Sequence, residues 1–252
     1  MLTKVDKNRE KALNFAIVIF FLIQSVNGYF IQMTIGRICD IISFGGVVLA
    51  FLFALVLFNK SIDWLLCALG LFFTVIADWN LVILNPMRQM PAMYAFSLVQ
   101  IFYFLRIYRV HKKTPDGVER RRKSLRRIHI TVRVLAITAA LLICRILLGD
   151  GADALSMISM FYYANLLCNM LFSFVEFRKM PCFAIGLLCF ALCDLFVGLG
   201  MIDQYITVEY GSLIYKLTHT DLNMAWVFYV PSYTLIAISA KGKMASLAND
   251  AQ

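Results

Sequence analysis

Two aspartates stand where the chain otherwise has hydrocarbon side chains. Asp194 ends the stretch Ala184-Ile185-Gly186-Leu187-Leu188-Cys189-Phe190-Ala191-Leu192-Cys193, and Asp78 ends Ala68-Leu69-Gly70-Leu71-Phe72-Phe73-Thr74-Val75-Ile76-Ala77, 116 positions earlier. In both stretches a glycine, Gly186 or Gly70, precedes the aspartate by eight residues. A charged group near the centre of a bilayer costs roughly 2.5–3.5 kcal/mol on insertion scales, so each carboxylate needs a partner, a water-filled cavity or a proton. Two carboxylates facing one poorly hydrated cavity also repel each other, and one of them is then expected to keep its proton. Such a pair holds an acid and a base at neutral pH, which suits hydrolysis of an acid-labile bond by water. The same pair could serve as a proton relay in a small-molecule carrier. A third reading is a non-catalytic scaffold or sensor, in which the aspartates bond neighbouring helices and the glycines permit close packing.

The elements that must hold this pair are membrane helices. The hydrophobic content is 61% and the mean hydropathy +0.77 over 252 residues, against about 45–50% apolar residues in soluble domains. Eight apolar runs approach the roughly 20 residues needed to cross the hydrocarbon as helix. The fold class is therefore all-α, a single polytopic domain with eight expected helices at about 12–30, 41–58, 64–84, 90–108, 130–148, 155–177, 181–202 and 223–240. Asn85-Pro86 ends the third helix and Pro181 opens the seventh.

The net charge of +9 is not a nucleic-acid footprint. On this topology nineteen Lys and Arg fall in inner segments, three in outer ones and two, Arg133 and Arg145, within helix five. That asymmetry predicts both termini in the cytoplasm of a multi-pass protein of the bacterial plasma membrane. Residues 106–127 form the expected basic inner loop. Four helices precede it and four come after it, so Asp78 and Asp194 fall on helices running in the same direction, as in a parallel repeat with an axis along the membrane normal. The seven cysteines form no CxxC or Cys/His metal pattern, and neither a metal nor a cofactor is expected.

Several polar residues could line a site with the aspartates. Gln100 and Tyr103 lie three apart on helix four, and Asn165 and Asn169 lie four apart on helix six, so each pair shares a helix face. They can hold water or a substrate oxygen, or bond adjacent helices. Tyr229 and Ser232 flank Pro231 on helix eight, where the proline frees a backbone carbonyl. Ser232 has no histidine in its span and is not read as a nucleophile. Arg145 is expected to reach Asp150 or Asp153 at the membrane surface.

Gly70-x7-Asp78, Phe96-Ser97-Leu98-Val99-Gln100-Ile101-Phe102-Tyr103, Gly186-x7-Asp194 and Tyr229-x6-Ile236 together resemble the bacterial YhhN proteins and their animal lysoplasmalogenase relatives. The likeness extends over about Ser61 to Ser239 and includes Met170. It implies an eight-helix enzyme that hydrolyses the vinyl ether bond of lysoplasmalogen, with Asp78 and Asp194 as the catalytic pair. The implied partner is a membrane lysolipid substrate, nucleic acid is not a partner, and a homodimer is compatible with the reading. Gln100 stands where the family favours histidine, Ser232-Tyr233 where a glutamine is common, and Ala77 and Cys193 where Gly and Ser usually precede the aspartates.

Overall fold

The computed structural model describes residues 4–34, 36–110, 119–201, 209–218 and 222–241. Among them the chain is helical: α1 (Lys4–Met33), α2 (Arg37–Val56), α3 (Ile62–Asp78), α4 (Gln89–Val110), α5 (Glu119–Leu148), α6 (Ala154–Val175), α7 (Pro181–Gly200), the short α8 (Leu213–Thr218) and α9 (Met224–Ser239). The first seven are long and apolar enough to cross a membrane, and α9 is an apolar helix of 16 residues. The chain is an integral multi-pass membrane protein.

Its surface and interior are set by the solvent. Val134, Leu135, Leu142, Ile146 and Leu147 of α5 are exposed, as lipid-facing side chains should be, while Gln24, Asp78, Gln100, Arg106, Arg133 and Asn169 are buried. In hydrocarbon a polar group must find its partner inside the bundle.

Most helices start and stop where local chemistry dictates. Ser61 caps α3 by accepting from the Trp64 amide, and Asp153 caps α6 by accepting from the Ser156 amide at 2.7 Å. Asp153 is thereby committed, and Arg145 instead approaches exposed Asp150 at 3.7 Å and donates to the Gly149 carbonyl. Pro181 sits at the start of α7, where its missing N–H costs nothing.

The inner ends of α4 and α5 depart from expectation. α4 continues to Val110 and α5 begins at Glu119, so most of the expected basic loop is helical, and residues 111–118 lie outside the described part. Arg, Lys and Glu are good helix formers, and a basic run ends the membrane span without ending the helix. Arg106 is not in a loop at all. Its side chain is 2% exposed, and its guanidinium donates to both Asp63 oxygens at 3.0 and 3.1 Å and to Ser239 at 2.7 Å. The charge also lies 4.5 Å over the Phe183 ring. This clamp ties α3, α4, α7 and α9 together at one end of the bundle.

Glycine sets the approach of the paired helices. A Cβ at Gly70 would meet the Tyr103 ring at 2.1 Å, so the α4 tyrosine lies across α3 where side chains are missing. A Cβ at Gly186 would meet Ile236 at 2.8 Å and the Ser232 carbonyl oxygen at 3.1 Å, which brings α9 onto α7 nearly backbone to backbone. Gly46 of α2 admits Asn27 and Tyr233, whose polar ends meet at 3.3 Å. Each helix pair of the first half has a counterpart in the second: α2 packs on α3 as α6 on α7, α3 on α4 as α7 on α9, and α4 on α6 as α9 on α2.

Replacing Arg106 with Met would strand Asp63 at the helix junction. We expect about 3 kcal/mol of destabilisation, the lower end for breaking a buried ion pair, read as a lower unfolding midpoint in detergent. Adding Asp63→Asn to Arg106→Met should recover part of that loss.

Candidate active site

The two aspartates lie toward the C-terminal ends of α3 and α7, at the end of the bundle where α4, α6 and α9 begin. Each carboxylate is held by a tyrosine. The Tyr229 hydroxyl of α9 donates to Asp78 Oδ2 at 2.6 Å, and the Tyr162 hydroxyl of α6 donates to Asp194 Oδ2. Asp194 lies near enough to Asp78 for its charge to bear on it. Cys193 borders the same group. Four polar groups from four helices thus share one cluster.

Aromatic rings wall it. Phe96 of α4 packs on Tyr162 at 5.4 Å and on Phe190 at 5.9 Å between centroids, and Phe190 packs on Tyr229 at 5.8 Å. Such contacts fix the rings and, through them, the hydroxyl directions. The halves differ here. Asp78 takes its tyrosine from the opposite half of the chain, whereas Asp194 takes one from its own. Asp78 is 3% exposed, while Asp194 remains partly exposed.

The backbone differs as well. α7 continues as α-helix beyond Asp194, but a π turn, Trp79–Ile83, comes directly after Asp78. The Leu84 amide donates five residues back to the Trp79 carbonyl at 3.0 Å. Arg37 of α2 donates to the carbonyls of Val82 and Ile83, satisfying groups that the wider turn leaves open. Single π turns of this kind are frequent at functional sites.

Of the polar residues read from the sequence as substrate-binding, Tyr229 alone is bonded to an aspartate. Tyr103 lies along α3 with its hydroxyl at Thr74, one turn before Asp78. Asn165 and Asn169, one to two turns further along α6 than Tyr162, both accept from Arg133 of α5, and Asn169 in turn donates to Gln100. Ser232 is buried beside Gly186 with no partner for its hydroxyl among the described residues. A cavity of about 330 Å³ does border Pro231, lined also by Gln24, Gln32, Trp226 and Val230, and it lies between α1 and α9. Tyr162 escaped sequence reasoning because it stands in Phe161-Tyr162-Tyr163 with nothing in its spacing to mark it. Its position on the helix before the Gly-x7-Asp element was the available signal.

Two tyrosine-held aspartates on matched helices are the arrangement that the chain's relatives must account for. A family model, described as the YhhN family, matches residues 42–240. The chain belongs to the YhhN family. The matched region of this YhhN chain runs from α2 through α9 and contains both aspartates and both tyrosines, while α1 lies outside it. No curated protein and no solved structure matches the chain.

Removing either hydroxyl leaves an aspartate without its described partner. Losing a hydrogen bond to a buried group costs about 1–3 kcal/mol. Tyr229→Phe should lower the thermal midpoint more than Tyr162→Phe, because Asp78 is the more deeply buried of the two carboxyls. Equal shifts measured in detergent would contradict that order.

Proposed function

We propose that this YhhN-family chain is an intramembrane hydrolase that cleaves the vinyl ether bond of lysoplasmalogen-type lysolipids. The observation that carries the reading is that Asp78 and Asp194 each lie under a tyrosine hydroxyl, with the Phe96 and Phe190 rings packed between the two tyrosines. Family membership supports it.

A vinyl ether is an acid-labile bond whose cleavage needs one proton donor and one water-activating base. A proton from the carboxylic acid adds to the outer alkene carbon, and the electron pair of the ether oxygen stabilises the resulting oxocarbenium ion. Water then adds to the carbon bearing oxygen and gives its proton to the carboxylate. The hemiacetal so formed collapses to a fatty aldehyde and the free hydroxyl of the glycerophospho group. Atoms balance with one water consumed, and the proton returned to the pair restores its starting charge.

Asp194, the less deeply buried of the two, is the group to receive the proton of the attacking water. Asp78, sealed beneath Tyr229, is the group to deliver the first proton. The aromatic wall of Phe96, Phe190 and Tyr229 suits an alkenyl chain and keeps bulk water from the cation. The bundle end carrying Arg106, Arg109, Arg127 and Lys179 faces the cytoplasm in this reading.

Aldehyde release from detergent-dispersed lysoplasmalogen tests it. The parent chain should release aldehyde, and folded Asp78→Asn and Asp194→Asn variants should each lose at least about 100-fold, the lower range for a general acid or base. A folded parent that releases none from lysoplasmalogens of several chain lengths would overturn the assignment. Tyr162→Phe and Tyr229→Phe should retain measurable activity, since neither hydroxyl is consumed in the reaction.

A further inference from the structure

Arg133 is a cation placed within a membrane-spanning helix with no counter-ion among the described residues. It is 8% exposed, and among the described residues no Asp or Glu pairs with it. Neutral groups surround it instead: Asn165 Oδ1 at 2.6 Å, Asn169 Oδ1, His129 Nε2 at 3.2 Å, and the Phe104 ring 4.4 Å beneath the charge. A lone intramembrane cation facing the bundle interior is a functional-site hypothesis by default.

The guanidinium dictates the orientation of everything around it. It has donors only, so both asparagines must turn their oxygens toward it and His129 must accept through Nε2. With its oxygen taken, Asn169 presents its amide nitrogen to Gln100, donating to the side-chain oxygen and the backbone carbonyl at 2.9 Å each. Gln100 Nε2 is then left as a donor. Gln100 is 1% exposed, and both its Nε2 and Arg133 Nε are buried with no acceptor among the described residues. One positive charge and two unanswered donors on either side of the Asn169 amide lack the same thing, an anionic oxygen.

Their position narrows the ligand. Asn165 and Asn169 are three and seven residues beyond Tyr162 on α6, or about 4.5 and 10.5 Å along the axis at 1.5 Å per residue. Tyr162 marks the Asp194 carboxylate. In a glycerophospholipid the ether oxygen on the first carbon and the phosphorus are five bonds apart, about 6 Å when extended at roughly 1.5 Å per bond. Resting on the hydrolase reading above, we propose that Arg133 and Gln100 bind the phosphate ester of the lysolipid head group while the scissile bond lies at Asp78 and Asp194. The head group then points toward the end of the bundle bearing the Arg106 clamp. Arg133 is a binding residue here and takes no part in proton transfer.

The test uses a ligand that cannot be cleaved: a saturated 1-O-alkyl lysophospholipid, compared with the 1-O-alkylglycerol of the same chain and with inorganic phosphate, by binding to the purified full chain in detergent. The parent should hold the phospholipid at least tenfold more tightly than the alkylglycerol. Arg133→Gln should remove that preference and leave alkylglycerol binding unchanged, and Gln100→Leu should weaken phospholipid binding several-fold in a folded protein even where Arg133→Gln fails to fold. Equal binding of both lipids by the parent, or a preference that survives both substitutions, would overturn the site. Displacement of the lipid by millimolar inorganic phosphate would make it a free-anion site and overturn the head-group assignment. Because no bond is cleaved, absence of aldehyde release would refute the hydrolase and leave this result standing; a parent that hydrolyses the substrate yet binds both lipids equally would refute the subsite alone.

Discussion

The near backbone contact between α7 and α9 at Gly186 is the constraint on which the rest of the bundle depends. Any side chain there would push away the helix that carries Tyr229, and Tyr229 is what joins the end of the chain to Asp78 near its beginning. Gly70 plays the corresponding part for α3 and α4, where the Tyr103 ring fills the space a side chain would occupy. In a membrane, where burying apolar surface gives no advantage over lipid, close approach and interhelical hydrogen bonds are the main sources of cohesion. The two glycines supply the first, and the acid–tyrosine pairs they align supply the second.

Polar groups are stacked in layers along the bundle according to how each is satisfied. At one end Arg106 is neutralised by Asp63 and tied to Ser239. Further along, Arg133 is held by amides and an aromatic face without neutralisation. At the other end carboxylates meet hydroxyls. Among the described residues only the first layer pairs a cation with an anion.

The aspartates and their glycines are legible in the sequence because a carboxylate in an apolar run violates the solvent, and a violation repeated at a fixed interval stands out. The shared face of Asn165 and Asn169 is legible too, since four-residue spacing fixes direction. Their partner is not: Arg133 reads only as a charge inside helix five, although its four-residue spacing from His129 puts those two side chains on one face as well. Arg106 is hidden by its neighbours. It begins a basic run that reads as loop, yet Tyr103 and Ile107 on either side are buried core residues. Tyr162 and Tyr163 are adjacent and chemically identical, and helix rotation alone sends one hydroxyl to Asp194 and the other to the Ala191 carbonyl.

The π turn after Asp78 has an implication for how such chains can diverge. A π turn is an α-helical turn with one residue added, and here the surplus residue falls downstream of the aspartate, within Trp79–Ile83. Everything before it, from the Ser61 cap through Gly70 to Asp78, keeps α-helical phase. Deleting one residue from this segment would restore the ordinary turn and rotate only the residues beyond it. The connection between α3 and α4 can therefore gain or lose length by single residues while the carboxylate stays in place.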